Sequence, residues 1–201
     1  PKPNSLRQSR GGSHPSYVQA LRMRFAVAVE ILLMAPIRVA NLASMDFEVN
    51  FGPIENSTGE QQVSFAPGEV KTGVPLTFVL RKESVAIMNL YRNRFRPLLV
   101  RRPTSALFPG YEGGAMDSHA LSRSIKDGIR RELGLTMNAH LFRHHAAFRY
   151  LKKNPGDYES VREFLAHKNI ETTVKFYAGT DVTQSFRRLD EIVAKDRESE
   201  L

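Results

Sequence analysis

The 201-residue sequence contains no cysteine, which excludes disulfides, thiolate metal ligands and thiol redox chemistry and agrees with a reducing compartment. Its longest apolar stretch, FAVAVEILLMAPI, is interrupted by Glu30 and ended by Pro36, too short to cross a bilayer. There is no Walker phosphate loop, no Gly-x-Gly-x-x-Gly fingerprint and no His-Glu-x-x-His pair. Internal repeats, heptads and low-complexity tracts are also missing, which removes solenoids and coiled coils. The chain opens on Pro1 rather than Met and carries no signal-peptide pattern, so it reads as a fragment or a processed product.

Acidic residues are scarce at the amino end. Lys2, Arg7, Arg10, Arg22 and Arg24 all precede the first acid, Glu30. Over the whole chain 29 Lys and Arg face 21 Asp and Glu, a net charge of +8, and the isoelectric point is near 9.9. An anionic partner follows on electrostatic grounds, nucleic acid before an acidic membrane surface. With 41% hydrophobic residues, the length suits one well-buried domain.

Residues 1–14, rich in Ser, Gly, Pro and Arg, form a basic linker or arm. From Pro15 to about Met34, Val18, Leu21, Phe25, Val29 and Leu32 recur at helical spacing, with Ser13 or Ser16 as cap. A short helix over Arg38–Ser44 follows the break at Pro36. Three β-prone runs, FEVNF, QQVSF and PLTFVL, are separated by turn residues and predict a small antiparallel sheet. Helices are then expected at Glu83 to Phe95, Ser118 to Leu133, His140 to Lys152, Tyr158 to Ala166, Glu171 to Tyr177 and Val182 to Lys195. The fold class is mainly α with a three-stranded antiparallel sheet inserted early, an α+β domain over residues 15–180, with 181–201 as a tail helix.

The segment HLFRHHAAFRYL crowds His140, Arg143, His144 and His145 onto one helix. At 3.6 residues per turn His140, Arg143, His144 and Ala147 share one face, expected to present cations, while Leu141 and Phe148 share the face expected to look inward. Arg38 stands where a long apolar helix gives way to a new one. Lys71 lies at a hairpin tip flanked by Gly68 and Gly73. His167 follows one helix and Tyr177 closes the next. Taken singly, each also reads as an ordinary surface or packing residue.

In the order Arg38, Lys71, His140, Arg143, His167, Tyr177, the stretches PIRVANLASMDF, VKTGVPLTFVL, HLFRHHAAF and LAHKNIETTVKFYAG resemble the catalytic domain of the tyrosine recombinases, the phage-integrase family. The resemblance runs from about residue 15 to 180. It implies a site-specific recombinase or integrase of a mobile element that cleaves and rejoins duplex DNA through a 3′-phosphotyrosyl intermediate, with no metal or other cofactor. It further implies a homotetramer on DNA, a monomer alone, and a bacterial cytoplasmic, nucleoid-associated location without membrane attachment. An amino-terminal DNA-binding domain, usual in the family, has no room in this chain.

The chemistry asks for the same residue types. Phosphodiester transfer to an enzyme needs a nucleophile, donors for the nonbridging oxygens, and a proton for the departing alcohol. Tyr177 is expected to be the nucleophile; a phenol of pKa about 10 is only about 0.1% ionised at neutral pH, so a neighbouring base or cation must help it. His140 and His167 are both available as that base. Arg38 and Arg143 offer planar forks to the phosphate, and Lys71 on its hairpin can protonate the leaving oxygen.

The sequence departs from the family pattern in three places. Asn41 stands where an acid is usual three residues after the first arginine, so the arginine clamp is expected to be held less firmly. Ala166 replaces a usual Gly before the second histidine, expected only to tighten the turn. Pro36-Ile37 replaces a Gly-containing turn. His144 is expected to support His140, and His145 to be structural on the apolar side. Tyr150 and Tyr158, the other tyrosines nearby, fall inside earlier helices and read as packing residues. The rival readings are a catalytically silent DNA-binding protein of this fold, a type IB topoisomerase, and a metal-dependent hydrolase built on a His140–His144 zinc pair.

Overall fold

The computed structural model describes residues 15–177; the basic arm over 1–14 and the tail helix over 182–195 lie outside the described residues. The first helix, α1 (Tyr17–Met34), starts where Ser16 accepts from the Gln19 amide and Gln19 reaches back to the Ser16 amide, a reciprocal cap that satisfies two orphan donors. Its buried face is Ala20, Val27, Ala28, Ile31 and Leu32. Of the apolar series read from sequence, only Leu32 is fully buried; Leu21, Phe25 and Val29 pack at the margin and Val18 is exposed. Alanines on the inner face let neighbouring elements approach, a choice that a search for large apolar residues passes over.

Helix α2 (Val39–Ser44) begins at Arg38. The sheet follows, with β1 (Phe51–Ile54), β2 (Gln61–Phe65) and β3 (Leu76–Leu80) in that order and antiparallel. Its central register runs from Gln61 opposite Leu80 to Phe65 opposite Leu76. The first strand differs from the expected FEVNF. Residues 47–50 form a turn because Asn50, 2% exposed, captures the Asp46 amide through Oδ1 while its own amide donates to the Asp46 carbonyl. The strand starts only at Phe51, and Pro53 is tolerated because β1 is an edge.

Helix α3 (Lys82–Leu90) widens into a π turn over Tyr91–Phe95 and ends in a short 3₁₀ turn at Arg96–Leu98. Then come α4 (Ser118–Leu133), capped by Asp117 and stopped by Gly134 at φ 69°, α5 (Ala139–Lys153), capped by Asn138, α6 (Tyr158–Phe164), capped by Asp157, and α7 (Ile170–Tyr177).

Two apolar clusters result. The larger joins α1, α2, the sheet, α3, α4 and the start of α5. The smaller holds Ala147, Leu151, Val161, Leu165 and Tyr177 from α5, α6 and α7. Helix α5 therefore belongs to both, and its buried residues are Ala139, Phe142, Arg143, Ala147 and Leu151. This reverses the face assignment made from sequence: Leu141 and Phe148 are exposed while Arg143 points inward. The reason is that α5 is gripped on the Arg143–Ala147 side by the segments carrying Pro36 and Leu165, so a guanidinium with carbonyl partners occupies the inside. His145 is likewise exposed, at the rim of an apolar groove beside Leu33 and Phe142.

Candidate active site

Arg143 is the hub. Only 4% exposed, it donates through Nη1 to the Pro36 carbonyl and through Nη2 to the Leu165 carbonyl, the latter at 2.7 Å. Pro36 lies two residues before Arg38, and Leu165 two before His167. One planar fork thus ties together the two chain segments that carry other members of the predicted set. Burial, then the nearby Arg38 charge, lowers the Arg143 pKa to about 10, which still leaves it cationic at neutral pH. Arg38 is half-buried, its pKa lowered by burial. Among the described residues neither arginine is ion-paired to a carboxylate.

His167 is delivered by the end of α6. Its amide donates to the Arg162 carbonyl at 2.9 Å and the Ala166 amide to the Glu163 carbonyl at 2.8 Å, the paired bonds of a Schellman stop. That stop requires a left-handed residue, and Ala166 takes φ 46°. Ala166 therefore does more than tighten the turn; it holds a conformation that costs an L side chain roughly 1–2 kcal/mol. His167 Nδ1 lies 2.9 Å from the Thr173 hydroxyl. Burial, then Arg143, Arg38 and the other two histidines, push its pKa down to about 4, so the ring is neutral at physiological pH.

Thr173 is fully buried and one turn before Tyr177 on α7. The Tyr177 ring is packed in the smaller cluster, 6% exposed, and its hydroxyl lies 3.0 Å from Nδ1 of His144. With the His144 proton on Nε2, the phenol donates and Nδ1 accepts. The His140 and His144 rings meet edge to face at 4.6 Å. Burial first, then His144, Arg143 and Arg38, lower the His140 pKa. Burial raises that of Tyr177, with Arg143 pulling the other way, so the phenol is un-ionised at neutral pH.

The structure thus brings five of the six predicted residues, Arg38, His140, Arg143, His167 and Tyr177, into one electrostatically coupled group. Lys71 stands apart. It is exposed on the loop between β2 and β3, and among the described residues it makes no hydrogen bond or ion pair. His144, expected from the sequence to support His140, also lies against the Tyr177 hydroxyl, and one residue beside the group, Thr173, was not singled out from the sequence. The only signal for Thr173 is its position four residues before Tyr177. Tyr150 donates to Asp157 at 2.7 Å and packs edge to face on Phe164, as a packing residue should. No group of three or more His, Cys, Asp or Glu side chains among the described residues could hold a metal ion.

A mainly helical α+β domain that gathers two arginines, three histidines and a tyrosine on α2, α5, α7 and the turn after α6 defines the class. The sequence model of the phage integrase family matches residues 13–183, and the chain belongs to that family. It is 30% identical over 168 residues to a protein named tyrosine recombinase XerC from Bifidobacterium longum strain DJO10A, covering 79% of this chain and 44% of that one. A protein named tyrosine recombinase XerD from Staphylococcus epidermidis is 27% identical over 147 residues, covering 72% of this chain and 46% of the relative. The chain therefore spans about half the length of the curated relatives it matches.

Among solved structures, the XerH site-specific recombinase bound to a palindromic difH substrate in a post-cleavage complex superposes with a TM-score of 0.63 at 19% identity, covering 90% of this chain and 47% of that one. The Tn1549 transposon integrase in complex with transposon right end DNA gives 0.58 at 13% identity, covering 92% and 67%. Both show the shared fold. No described helix is long and apolar enough to cross a membrane.

Proposed function

We propose that the chain is the strand-transferring portion of a site-specific DNA recombinase, an integrase of a mobile element, with Tyr177 as nucleophile. The observation that carries this reading is the Tyr177 hydroxyl held 3.0 Å from an imidazole nitrogen within a cationic group whose arginines are ion-paired to no carboxylate among the described residues. Two guanidinium groups so placed suit a phosphate anion. In the proposed step the Tyr177 oxygen attacks phosphorus as its proton passes to His144, and the phosphorus–tyrosine oxygen bond forms. The bond to the 5′ oxygen breaks, and Lys71 gives that oxygen a proton. Arg38 and Arg143 take the charge growing on the nonbridging oxygens. The 3′-phosphotyrosyl link keeps the bond energy for attack by a second strand's 5′-hydroxyl, and no metal or other cofactor enters.

Double-stranded DNA as partner is supported by charge placement. On α4, His119, Arg123, Lys126 and Arg130 are all exposed and recur at intervals of three and four residues, a straight basic stripe suited to phosphates. Exchange between two duplexes requires four cleavages, so the working form is a homotetramer on DNA that is monomeric alone, in the bacterial cytoplasm with the nucleoid. The test is a nicked duplex carrying the junction sequences of the encoding element, which traps covalent adduct by losing the short leaving strand. Adduct is expected with the parent protein and not with Tyr177→Phe, which keeps DNA binding; adduct that survives the substitution refutes Tyr177 as nucleophile.

A further inference from the structure

We propose that Asn41 is the positioning residue for Lys71, fixing the root of the β2–β3 loop to the helix that carries Arg38; this rests on the reading of Lys71 as proton donor. Asn41 lies one helical turn after Arg38 and is 4% exposed. Among the described residues its side chain holds no arginine. Nδ2 instead donates to the backbone carbonyl of Glu69 at 2.8 Å, across 28 residues of chain. The same Glu69 is gripped through its carboxylate, which accepts from Asn50 Nδ2 at 2.9 Å and from the Ala66 amide at 2.7 Å. The next residue, Val70, is 5% exposed and packed in the main core. Lys71 follows at once, exposed and unbonded. The anchoring stops one residue short of the ammonium group, which gives a fixed root and a free head.

The chemistry of the amide is what makes the contact specific. A backbone carbonyl can only accept, so its partner must donate, and Asn does. A carboxylate at position 41, the residue type usual in the resembling family, would set lone pairs against lone pairs and be buried without a donor. Loop placement in this chain therefore depends on the departure from the family pattern. A displacement of about 1 Å at a reacting group costs on the order of 10²-fold in rate, so slackening the root is felt at Lys71 without touching it.

The experiment compares single-turnover cleavage of two nicked duplexes with the same junction sequence, one with oxygen and one with sulfur at the departing 5′ position. A thiol of pKa about 8.5 leaves as its anion and needs no proton donor. Lys71→Ala and Asn41→Asp should both be slow on the oxygen substrate, Asn41→Asp by roughly tenfold or more, and both should recover to within about threefold of the parent protein on the sulfur substrate. Glu69→Ala, at an exposed position, releases the other anchor and should give the same signature; it keeps the test open if Asn41→Asp does not fold. If Lys71→Ala recovers on sulfur while Asn41→Asp and Glu69→Ala stay equally slow on both substrates, the positioning role is overturned alone. If Lys71→Ala itself fails to recover, the proton-donor reading falls and this inference falls with it.

Discussion

The Tyr177 hydroxyl sits 3.0 Å from Nδ1 of His144 although 33 residues separate them in the chain. The contact exists because α7 folds back on α5 and buries the tyrosine ring against Ala147, Leu151, Val161 and Leu165. A base takes a proton within hydrogen-bond reach or through one water, and the His144 imidazole stands within direct reach. His144→Leu keeps the volume and removes the acceptor. Adduct formation is expected to fall by about 10² or more, with duplex binding unchanged in a gel-shift titration. A loss under about threefold would return the proton to His140 or His167.

Arg38 and Arg143 are predicted to separate on stability. Arg143→Ala leaves the Pro36 and Leu165 carbonyls without their donor, at about 1–3 kcal/mol for each that stays buried, and its urea midpoint should drop accordingly. Arg143→Lys cannot restore both bonds from a single ammonium. Among the described residues Arg38 has no such partners, so Arg38→Ala should hold its midpoint within about 1 kcal/mol while cleavage falls by roughly 10² to 10³. Equal destabilisation by the two alanine variants would contradict the hub assigned to Arg143.

Much of this site was legible in the residues because the cues are local. Ser16, Asp117 and Asn138 cap where caps were sought or stand just before predicted helices, and the order of Arg38, Lys71, His140, Arg143, His167 and Tyr177 is a linear pattern. What escaped depends on contacts between distant segments. Periodicity put Leu141 and Phe148 inside, yet two backbone carbonyls claimed the opposite face of α5 for Arg143. Gly128, unremarked in the sequence, lies so close to Phe25 that an added Cβ would be 2.3 Å from the ring. Asn41 was seen as a weakened support for an arginine, and only the folded chain reveals the Glu69 carbonyl as its partner.

Acid should weaken the fold through His167. Its pKa falls from 6.5 in the unfolded chain to about 4 in the folded one, so between those values the unfolded state binds more protons. Stability from this group is complete above about pH 6.5, is lost progressively as the pH falls toward about 4, and levels off below. His140, also lowered, acts in the same direction. Thermal midpoints taken across this window should decline less steeply in His167→Gln than in the parent protein. Parallel declines would mean that carboxylate protonation alone accounts for the acid sensitivity.

Ala166 carries a conflict that substitution can resolve. Its φ of 46° favours glycine, while its methyl group is buried at 2% exposure. Ala166→Gly gains roughly 1–2 kcal/mol by relieving the left-handed strain and loses about 0.8 kcal/mol of buried methyl. The net change should lie between neutral and about 1 kcal/mol stabilising, opposite in sign to a buried Ala→Gly elsewhere. Ala166→Val, with a branched Cβ in the same conformation, should be strongly destabilised and should displace His167 from Thr173, which the imidazole NMR signals report. A clear loss of stability in the glycine variant would mean that the methyl group's packing outweighs the strain at the stop of α6.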